Sequence, residues 1–218
     1  ADALKSMQLP GGFKAELIAA EPDVVQPIAF TFDERGRIWV VEGNSYPKPR
    51  EVGAGQDRIK ILEAKDGDGI FETQTIFCEG LNLVSGIELG FGGVWVGAAP
   101  YLMWIPDRDK DDKPDVSDKL MFGKEIPKVP GLNFTAYALL DGWGSQDTHE
   151  TLNSFIWGPD GWLYGCHGVF THSLVGKPGT PDDQRQPINA GVWRYHPVRH
   201  EFEIFAHGTS NPWGLDYD

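Results

Sequence analysis

Short apolar runs, many of them rich in β-branched or aromatic residues, alternate with Gly, Pro and Asp along the chain, and one arrangement of these runs recurs. The segments PIAFTFDERGRIWVVEG and NSFIWGPDGWLYG each contain an apolar strand, a turn and a second strand with a large aromatic residue. When they are aligned through the turn glycines Gly36 and Gly161, Trp39 matches Tyr164, and a looser copy, SGIELGFGGVWVG, has Trp95 in that place. This recurrence indicates a repeated supersecondary unit whose hydrophobic face is buried by its neighbours.

The repeat divides the chain into units at residues 27–85, 86–152 and 153–210, and a further unit begins near residue 211 with NPWGLDYD. In the third unit the pattern predicts four strands, at Phe155–Trp157, Trp162–Gly165, Gly191–His196 and Glu201–Ala206. Four antiparallel strands per unit predict an all-β protein, and radial placement of such units gives a β-propeller. The alternative is a β-sandwich, whose turn signals come every 8–12 residues without a repeat of this length.

Propellers close with about four to eight blades, whereas this chain supplies about three blades and one opening strand. We therefore expect residues 1–218 to be the N-terminal part of one longer propeller domain. The early run Phe13–Ala19 is expected to form an outer strand of the closing blade.

Composition and charge narrow the function classes. With 40% hydrophobic and 23% charged residues the chain is globular, and no run approaches the ~20 apolar residues of a membrane helix. A net charge of −13 argues against binding to nucleic acid or to anionic membranes, and fits a secreted protein or one that handles cations. The only cysteines, Cys78 and Cys166, have no metal-site spacing and are expected to be buried strand thiols, with a disulfide as the alternative.

One acidic loop, IPDRDKDDKPD, has the ligand spacing of a calcium site. Asp107, Asp109, Asp111 and Asp115 take positions one, three, five and nine, and the Lys113 carbonyl takes position seven. The loop lacks the glycine and the final glutamate of an EF-hand, so we expect a structural calcium site of another kind. A solvated acidic turn is the alternative.

A second acidic loop, KDGDGIFE, matches the same spacing less completely. Asp66, Asp68, the Ile70 carbonyl and Glu72 are its oxygen donors, and Ala64 stands where the first ligand should be. An ordinary Asp-Gly hairpin turn explains this sequence equally well.

Four of the six histidines lie in or beside the third unit, and His149 in DTHE is the sharpest candidate for catalysis. Asp147 or Glu150 could orient its imidazole as a general base. The sequence HETLN is not a zinc-protease helix, because Asn153 stands where the second histidine should be. Further candidates for binding a substrate or cofactor are polar residues near strand ends: Glu42, Asn44, Asn153, His167, His172 and Asn211. The alternative role for all of them is to cap turns and satisfy backbone groups.

Several long strings together resemble a known family. LPGGFKAELIAAEPDVVQPIAFTFDERGRIWVVEGNSYP, DTHETLNSFIWGPDGWLYGCHGVFTHS and HGTSNPWGLDYD look like the N-terminal propeller of PVC-type haem-binding proteins, also called membrane-bound dehydrogenases. These are large secreted bacterial proteins, many with a C-terminal cytochrome c domain. The resemblance implies a periplasmic or extracellular location, membrane association through other domains, and a haem c group outside this chain.

That family is similar in turn to the glucose/sorbosone quinoprotein dehydrogenases, six-bladed propellers that use calcium and pyrroloquinoline quinone. The resemblance implies that His149 takes a proton from a sugar hydroxyl while hydride passes to a bound pyrroloquinoline quinone, and that electrons then leave to a cytochrome c domain or protein. Where those enzymes have Arg-Asn before a proline, this chain has Ser210 and Asn211, and the missing arginine removes a bidentate contact with an anion.

The expected function is therefore that of an extracytoplasmic oxidoreductase-like propeller acting on a sugar or alcohol. The alternative is a non-catalytic propeller that binds glycans or proteins. A hydrolase ranks third, since no nucleophile elbow or paired-carboxylate spacing is present in the sequence.

Overall fold

β-strands make up most of the regular structure in the computed structural model, which describes residues 2–66, 69–116 and 123–218. The strands in chain order are β1 Pro27–Phe32, β2 Ile38–Glu42, β3 Asp57–Glu63, β4 Thr73–Leu81, β5 Val84–Leu89, β6 Gly93–Ala98, β7 Tyr101–Pro106, β8 Tyr137–Leu140, β9 Asn153–Trp157, β10 Leu163–His167, β11 Ser173–Val175, β12 Gln186–Ile188, β13 Gly191–His196 and β14 Glu201–His207. The described helices are α1, Asp2–Lys5, and a 3₁₀ turn at Asp182–Gln184. Neither approaches the length that crossing a membrane requires.

Three four-stranded antiparallel sheets contain twelve of these strands. Their strand orders are β1-β2-β3-β4 (sheet 1), β5-β6-β7-β8 (sheet 2) and β14-β13-β10-β9 (sheet 3), while β11 and β12 form a small hairpin between β10 and β13. The prediction of an all-β protein is confirmed, and so are the four strands predicted in the third unit. The hairpin β11-β12 was not predicted, because its strands are only three residues long.

The aromatic residues of the repeat lie at matching places in the three sheets. Counted from the hairpin turn, Trp39, Trp95 and Tyr164 each occupy the second pair of the ladder between the first two strands of their sheet. Trp39 and Trp95 are buried, whereas Tyr164 is partly exposed and contacts Phe205 on the outer face of sheet 3.

The first strand of each sheet carries a bulge near its start. Ile28 and Ser85 are extra residues opposite β2 and β6, and β9 has one residue more than β10 beside Ser154. A bulge leaves one residue unpaired and redirects a side chain. The same irregularity therefore recurs at the same end of all three sheets.

The sheets pack face to face in chain order. Between sheets 1 and 2, one core cluster joins Trp39 and Ile59 to Val94, Val96 and neighbouring residues. Between sheets 2 and 3, a second core cluster contains Trp95, Trp104, Leu152, Phe155, Trp193 and Tyr195. Strand β5 contacts both β1 and β9, so the first strands of the three sheets are neighbours.

Two glycines make room for this packing. A Cβ atom at Gly86 would come within 2.8 Å of the Phe155 ring, and a Cβ atom at Gly97 would come within 2.6 Å of it. The ring of Phe155 therefore lies directly over the backbone of sheet 2.

The two outermost faces of the stack expose large apolar side chains. Phe30 and Phe32 on sheet 1 and Phe205 on sheet 3 are all more than half exposed. The segment Phe13–Ala19 pairs with none of the described strands; the closing blade, in which we expect it to be an outer strand, is not among these residues, so that expectation stays a prediction. Both cysteines are free and buried, which confirms the prediction of buried thiols.

Candidate functional site

A cleft of about 480 Å³ opens at the end of the sheets where the first strands begin. We call it the inner-strand cleft. Its lining residues are Gln26, Pro27, Ile28, Gly43, Tyr46, Leu83, Val84, Ser85, Thr148, His149, Asn211 and Trp213. The bulges of β1 and β5 place Ile28 and Ser85 in this lining. Residues distant in sequence thus meet here because the sheets put equivalent strand ends side by side.

His149 lies in this cleft within a short chain of hydrogen bonds. Its Nδ1 atom is 2.9 Å from Asp147 Oδ1, and its Nε2 atom is hydrogen-bonded to the Tyr46 hydroxyl. The Tyr46 and His149 rings pack edge to face, with centroids 5.3 Å apart and planes at 82°. The hydrogen bond from His149 is the largest cause that holds the pKa of Asp147 below its ordinary value. This arrangement fixes the orientation of the imidazole, with Nδ1 facing the Asp147 carboxylate and Nε2 facing the Tyr46 hydroxyl.

Buried groups hold the backbone of Asp147 in place. The Thr171 hydroxyl accepts the Asp147 N–H at 3.1 Å and donates to the Asp147 carbonyl at 2.9 Å. Thr171 is fully buried, and its own carbonyl is 3.0 Å from Nε2 of His167. The turn that carries Asp147 and His149 is therefore anchored to the end of β10.

Asp57 anchors the opposite side of the cleft. Its carboxylate is fully buried and accepts the N–H of Ser45 at 2.5 Å and the N–H of Val84 at 2.8 Å. Burial raises the pKa of Asp57, although these backbone hydrogen bonds oppose the shift. One carboxylate thus joins the loop that carries Tyr46 to the first residue of β5.

The inner-strand cleft combines apolar rings with neutral polar groups. Tyr46 and Trp213 present aromatic surface, and the side chains of Gln26, Thr148 and Asn211 present hydrogen-bonding groups. Neither Lys nor Arg is among the described residues that line it. Such a lining favours a neutral, hydroxylated ligand over a polyanion.

Two predicted binding residues of the first unit lie outside the cleft lining. Glu42 is fully buried, with ion pairs to Arg58 and to Lys60, the latter at 3.1 Å, and it accepts the Val25 N–H at 2.8 Å. Burial raises the pKa of Glu42, but these contacts outweigh it and the net shift is downward. Glu42 therefore ties the N-terminal segment to sheet 1. Asn44 donates to the Gln56 carbonyl at 3.2 Å.

The remaining candidates of the third unit lie behind or beside the cleft. Asn153 is buried, and its amide donates to the Thr151 carbonyl at 2.9 Å. His167 is fully buried, and burial lowers its pKa to about 4, so the imidazole is neutral at neutral pH. Glu150 is buried and its pKa is raised, chiefly by burial and next by the charge of Asp147. His172 is exposed outside the cleft lining.

The acidic loop after β7 brings three of its carboxylates together. Oxygen atoms of Asp107, Asp109 and Asp115 all lie within 4.8 Å of one another. Burial, then the negative charge of nearby aspartates, raises the pKa of Asp107 to about 6. Asp111 lies outside this trio: its carboxylate accepts the Lys113 N–H at 3.1 Å. Three carboxylates, one of them buried, are a donor set that suits a hard cation such as calcium.

The same loop is fastened to sheet 1 by a residue that sequence reasoning missed. Asp112 accepts two hydrogen bonds from Arg37, at 2.7 Å and 2.8 Å, and Arg37 also pairs with buried Asp33 at 2.7 Å. The loop lies at the hairpin end of sheet 2, and the inner-strand cleft lies at the other end. Of the second acidic loop, Asp68 lies outside the described residues.

Tyr46, Trp213 and Asp57 are site residues that the sequence did not single out. For Asp57 the one available signal was an aspartate directly before the alternating run RIKIL, and only the structure shows that it is buried and so needs donors nearby. Nothing in the local sequence shows that Tyr46 would reach a residue 103 positions away.

These features define a class: an all-β protein of successive four-stranded sheets with a neutral polar cleft at the ends of adjacent first strands. The chain belongs to the family described as Domain of unknown function (DUF7133), whose model matches residues 1–129 and 135–218. No curated protein matches the sequence.

Proposed function

We propose that this chain is part of an extracytoplasmic β-propeller whose inner-strand cleft binds a neutral sugar or alcohol, and that His149 serves as the base in oxidation of that ligand. The Asp147–His149–Tyr46 arrangement in the cleft is the observation that carries the proposal. An imidazole held by a carboxylate on one nitrogen is suited to accept a proton at the other.

The packing of the sheets supports the propeller. Their first strands lie next to one another in chain order, as the innermost strands of blades do around an axis. The exposed rings of Phe30, Phe32 and Phe205 lie on the two outer faces, which further blades of the same six-bladed propeller would cover.

The cleft lining does not fit pyrroloquinoline quinone. That cofactor carries several carboxylates, which cationic side chains usually bind, and the described lining has neither Lys nor Arg. We therefore derive no step through a quinone in this cleft. In this proposal electrons leave to a haem domain or partner protein outside these residues.

The composition of the cleft lining also favours a second function, that of a non-catalytic propeller that binds glycans. Aromatic rings beside amide groups are sufficient for sugar binding without any reaction. The two functions differ in one result: both predict that the cleft binds a sugar, but only the first predicts turnover that depends on His149.

D-Glucose is expected to bind in the cleft, with Trp213→Ala weakening its affinity by about tenfold through loss of an aromatic surface. Titration followed by NMR or calorimetry measures this. The matched control is Phe32→Ala, which removes an exposed ring at the far end of β1 and should leave affinity unchanged. No binding by the parent chain would reject the proposed ligand class.

We also propose a structural calcium ion held by Asp107, Asp109 and Asp115. Because the pKa of Asp107 is raised to about 6, its contribution to stability is present below its ordinary pKa and is lost as the pH rises through about 6. A bound cation would offset this loss by neutralising the carboxylates.

Calcium is accordingly expected to raise Tm at pH 7 by about 5–10 °C at 100 times its Kd, and to raise it much less at pH 4.5. Thermal unfolding with and without a chelator measures the effect. Asp107→Asn should abolish the response, whereas the exposed Asp183→Asn should keep it. An equal Tm with and without calcium at pH 7 would contradict the proposed site.

A further inference from the structure

We propose that His149 acts on the ligand through Tyr46, so that Tyr46, His149 and Asp147 form a proton relay that opens into the cleft at the Tyr46 hydroxyl. This inference rests on the proposed function and adds the residue that touches the reacting hydroxyl. It makes Tyr46 a catalytic residue and gives His149 the role of accepting the proton from Tyr46.

The occupied nitrogens of His149 lead to this assignment. A carboxylate can only accept, so the Nδ1 atom, 2.9 Å from Asp147 Oδ1, must donate its hydrogen there. The neutral imidazole then has one lone pair, on Nε2, and the Tyr46 hydroxyl already donates to it. A ligand hydroxyl cannot use that lone pair without displacing Tyr46.

The oxygen of Tyr46 remains able to accept. A phenolic hydroxyl that donates its hydrogen still has lone pairs, and Tyr46 lines the cleft with more than a third of its surface exposed. Donation to His149 pulls electron density toward the Tyr46 oxygen and makes it a better acceptor. The tyrosine oxygen is thus an acceptor that is open to a ligand hydroxyl in this part of the cleft.

The loops around the relay hold it in place from both sides. Ser45, which directly precedes Tyr46, donates its N–H to buried Asp57 at 2.5 Å. Across the cleft, the Thr148 hydroxyl donates to the Pro47 carbonyl at 3.0 Å, which joins the two loops directly. Tyr46 and His149 therefore belong to one connected frame.

The relay moves protons only. The ligand O–H bond breaks as a new O–H bond forms on Tyr46, while the original Tyr46 proton passes to Nε2 of His149. The resulting imidazolium faces the Asp147 carboxylate, which stabilises its charge. The ligand must therefore present a hydroxyl donor at this point, and an ether in the same place would lose the contact.

Tyr46→Phe tests the relay by two measurements on the full chain. First, NMR of the imidazole nitrogens should show the Nε2 resonance of His149 shifting when the hydroxyl is removed, with Nδ1 still protonated. Second, D-glucose affinity should fall by about tenfold, because a bound hydroxyl loses its acceptor. Tyr217→Phe, which removes a hydroxyl from an exposed tyrosine outside the cleft lining, should change neither reading.

The contrary results are distinct from failure of the proposed function. An unshifted Nε2 resonance overturns the relay whatever the ligand is. Glucose affinity that stays equal or rises in Tyr46→Phe, but is lost in His149→Ala, shows that Tyr46 only competes for His149; this overturns the relay and leaves the proposed function standing. If the parent chain binds no glucose while the Nε2 shift is present, the proposed function fails instead.

Discussion

His149→Ala is expected to lower the rate of dye-linked sugar or alcohol oxidation by the full-length protein by about 10²–10⁴-fold, the usual contribution of a general base. The fold should survive, because the His149 side chain is 66% exposed and its ring lies over Tyr46 rather than in a core cluster. The loss would then reflect chemistry and not unfolding. Steady-state rates together with a thermal unfolding curve measure both.

The matched control is His172→Ala, which removes an exposed histidine from outside the cleft lining and should leave the rate unchanged. The response of Tm to calcium should persist in both variants, because the acidic loop lies at the other end of sheet 2. Full activity of His149→Ala would exclude His149 from the mechanism, whereas sugar binding without any oxidation by the parent protein would favour the glycan-binding alternative.

Asp57→Asn is expected to destabilise the protein by about 2–4 kcal/mol, the cost of leaving buried polar groups without partners. Both carboxylate oxygens of Asp57 accept backbone N–H groups, from Ser45 and Val84. An asparagine has only one oxygen, so its NH₂ group would face a second donor. Urea unfolding of the variant and the parent chain measures the difference.

The exposed Asp216→Asn serves as the control for the same change of charge and should shift the free energy of unfolding by less than about 0.5 kcal/mol. Because Asp57 also holds the loop of Tyr46, the variant should bind D-glucose more weakly even where it is fully folded. A stability equal to that of the parent chain would show that the two N–H groups find other acceptors.

Much of the fold was predictable because the repeat is a local signal. Trp39 and Trp95 mark the same place in successive sheets, since each side chain must fill the space against the next sheet. Tyr164 keeps that place in the ladder but stands on an outer face, where Arg194 lies 5.9 Å from the centre of its ring. The sequence match therefore gave the position of Tyr164 correctly, but not its surroundings.

The site was less predictable, because its contacts join distant segments. His149 and Asp147 were found together because they are two residues apart. Glu42 was selected because it is a polar residue near a strand end, but Arg58 and Lys60 on the adjacent strand β3 form ion pairs with it. That pairing depends on the register between β2 and β3, which a run of apolar residues does not specify.

The geometry of the acidic loop was also only partly predictable from the sequence. Ligand spacing selected Asp107, Asp109, Asp111 and Asp115, and three of these do converge. The fourth, Asp111, lies outside the trio and accepts the Lys113 N–H at 3.1 Å, which spacing alone cannot reveal. Alternate positions in sequence thus do not guarantee that all the side chains point to one centre.

The bulges at the strand starts have a consequence for how this family can diversify. Ile28 is unpaired with β2 and lies in the cleft wall, so selection can replace it without changing the strand pairing on either side. Ser85, at the corresponding place in β5, has less freedom, because its hydroxyl donates at 2.6 Å to the carbonyl of Leu152, the residue directly before β9. Natural variation in ligand preference should therefore accumulate at residue 28 sooner than at residue 85.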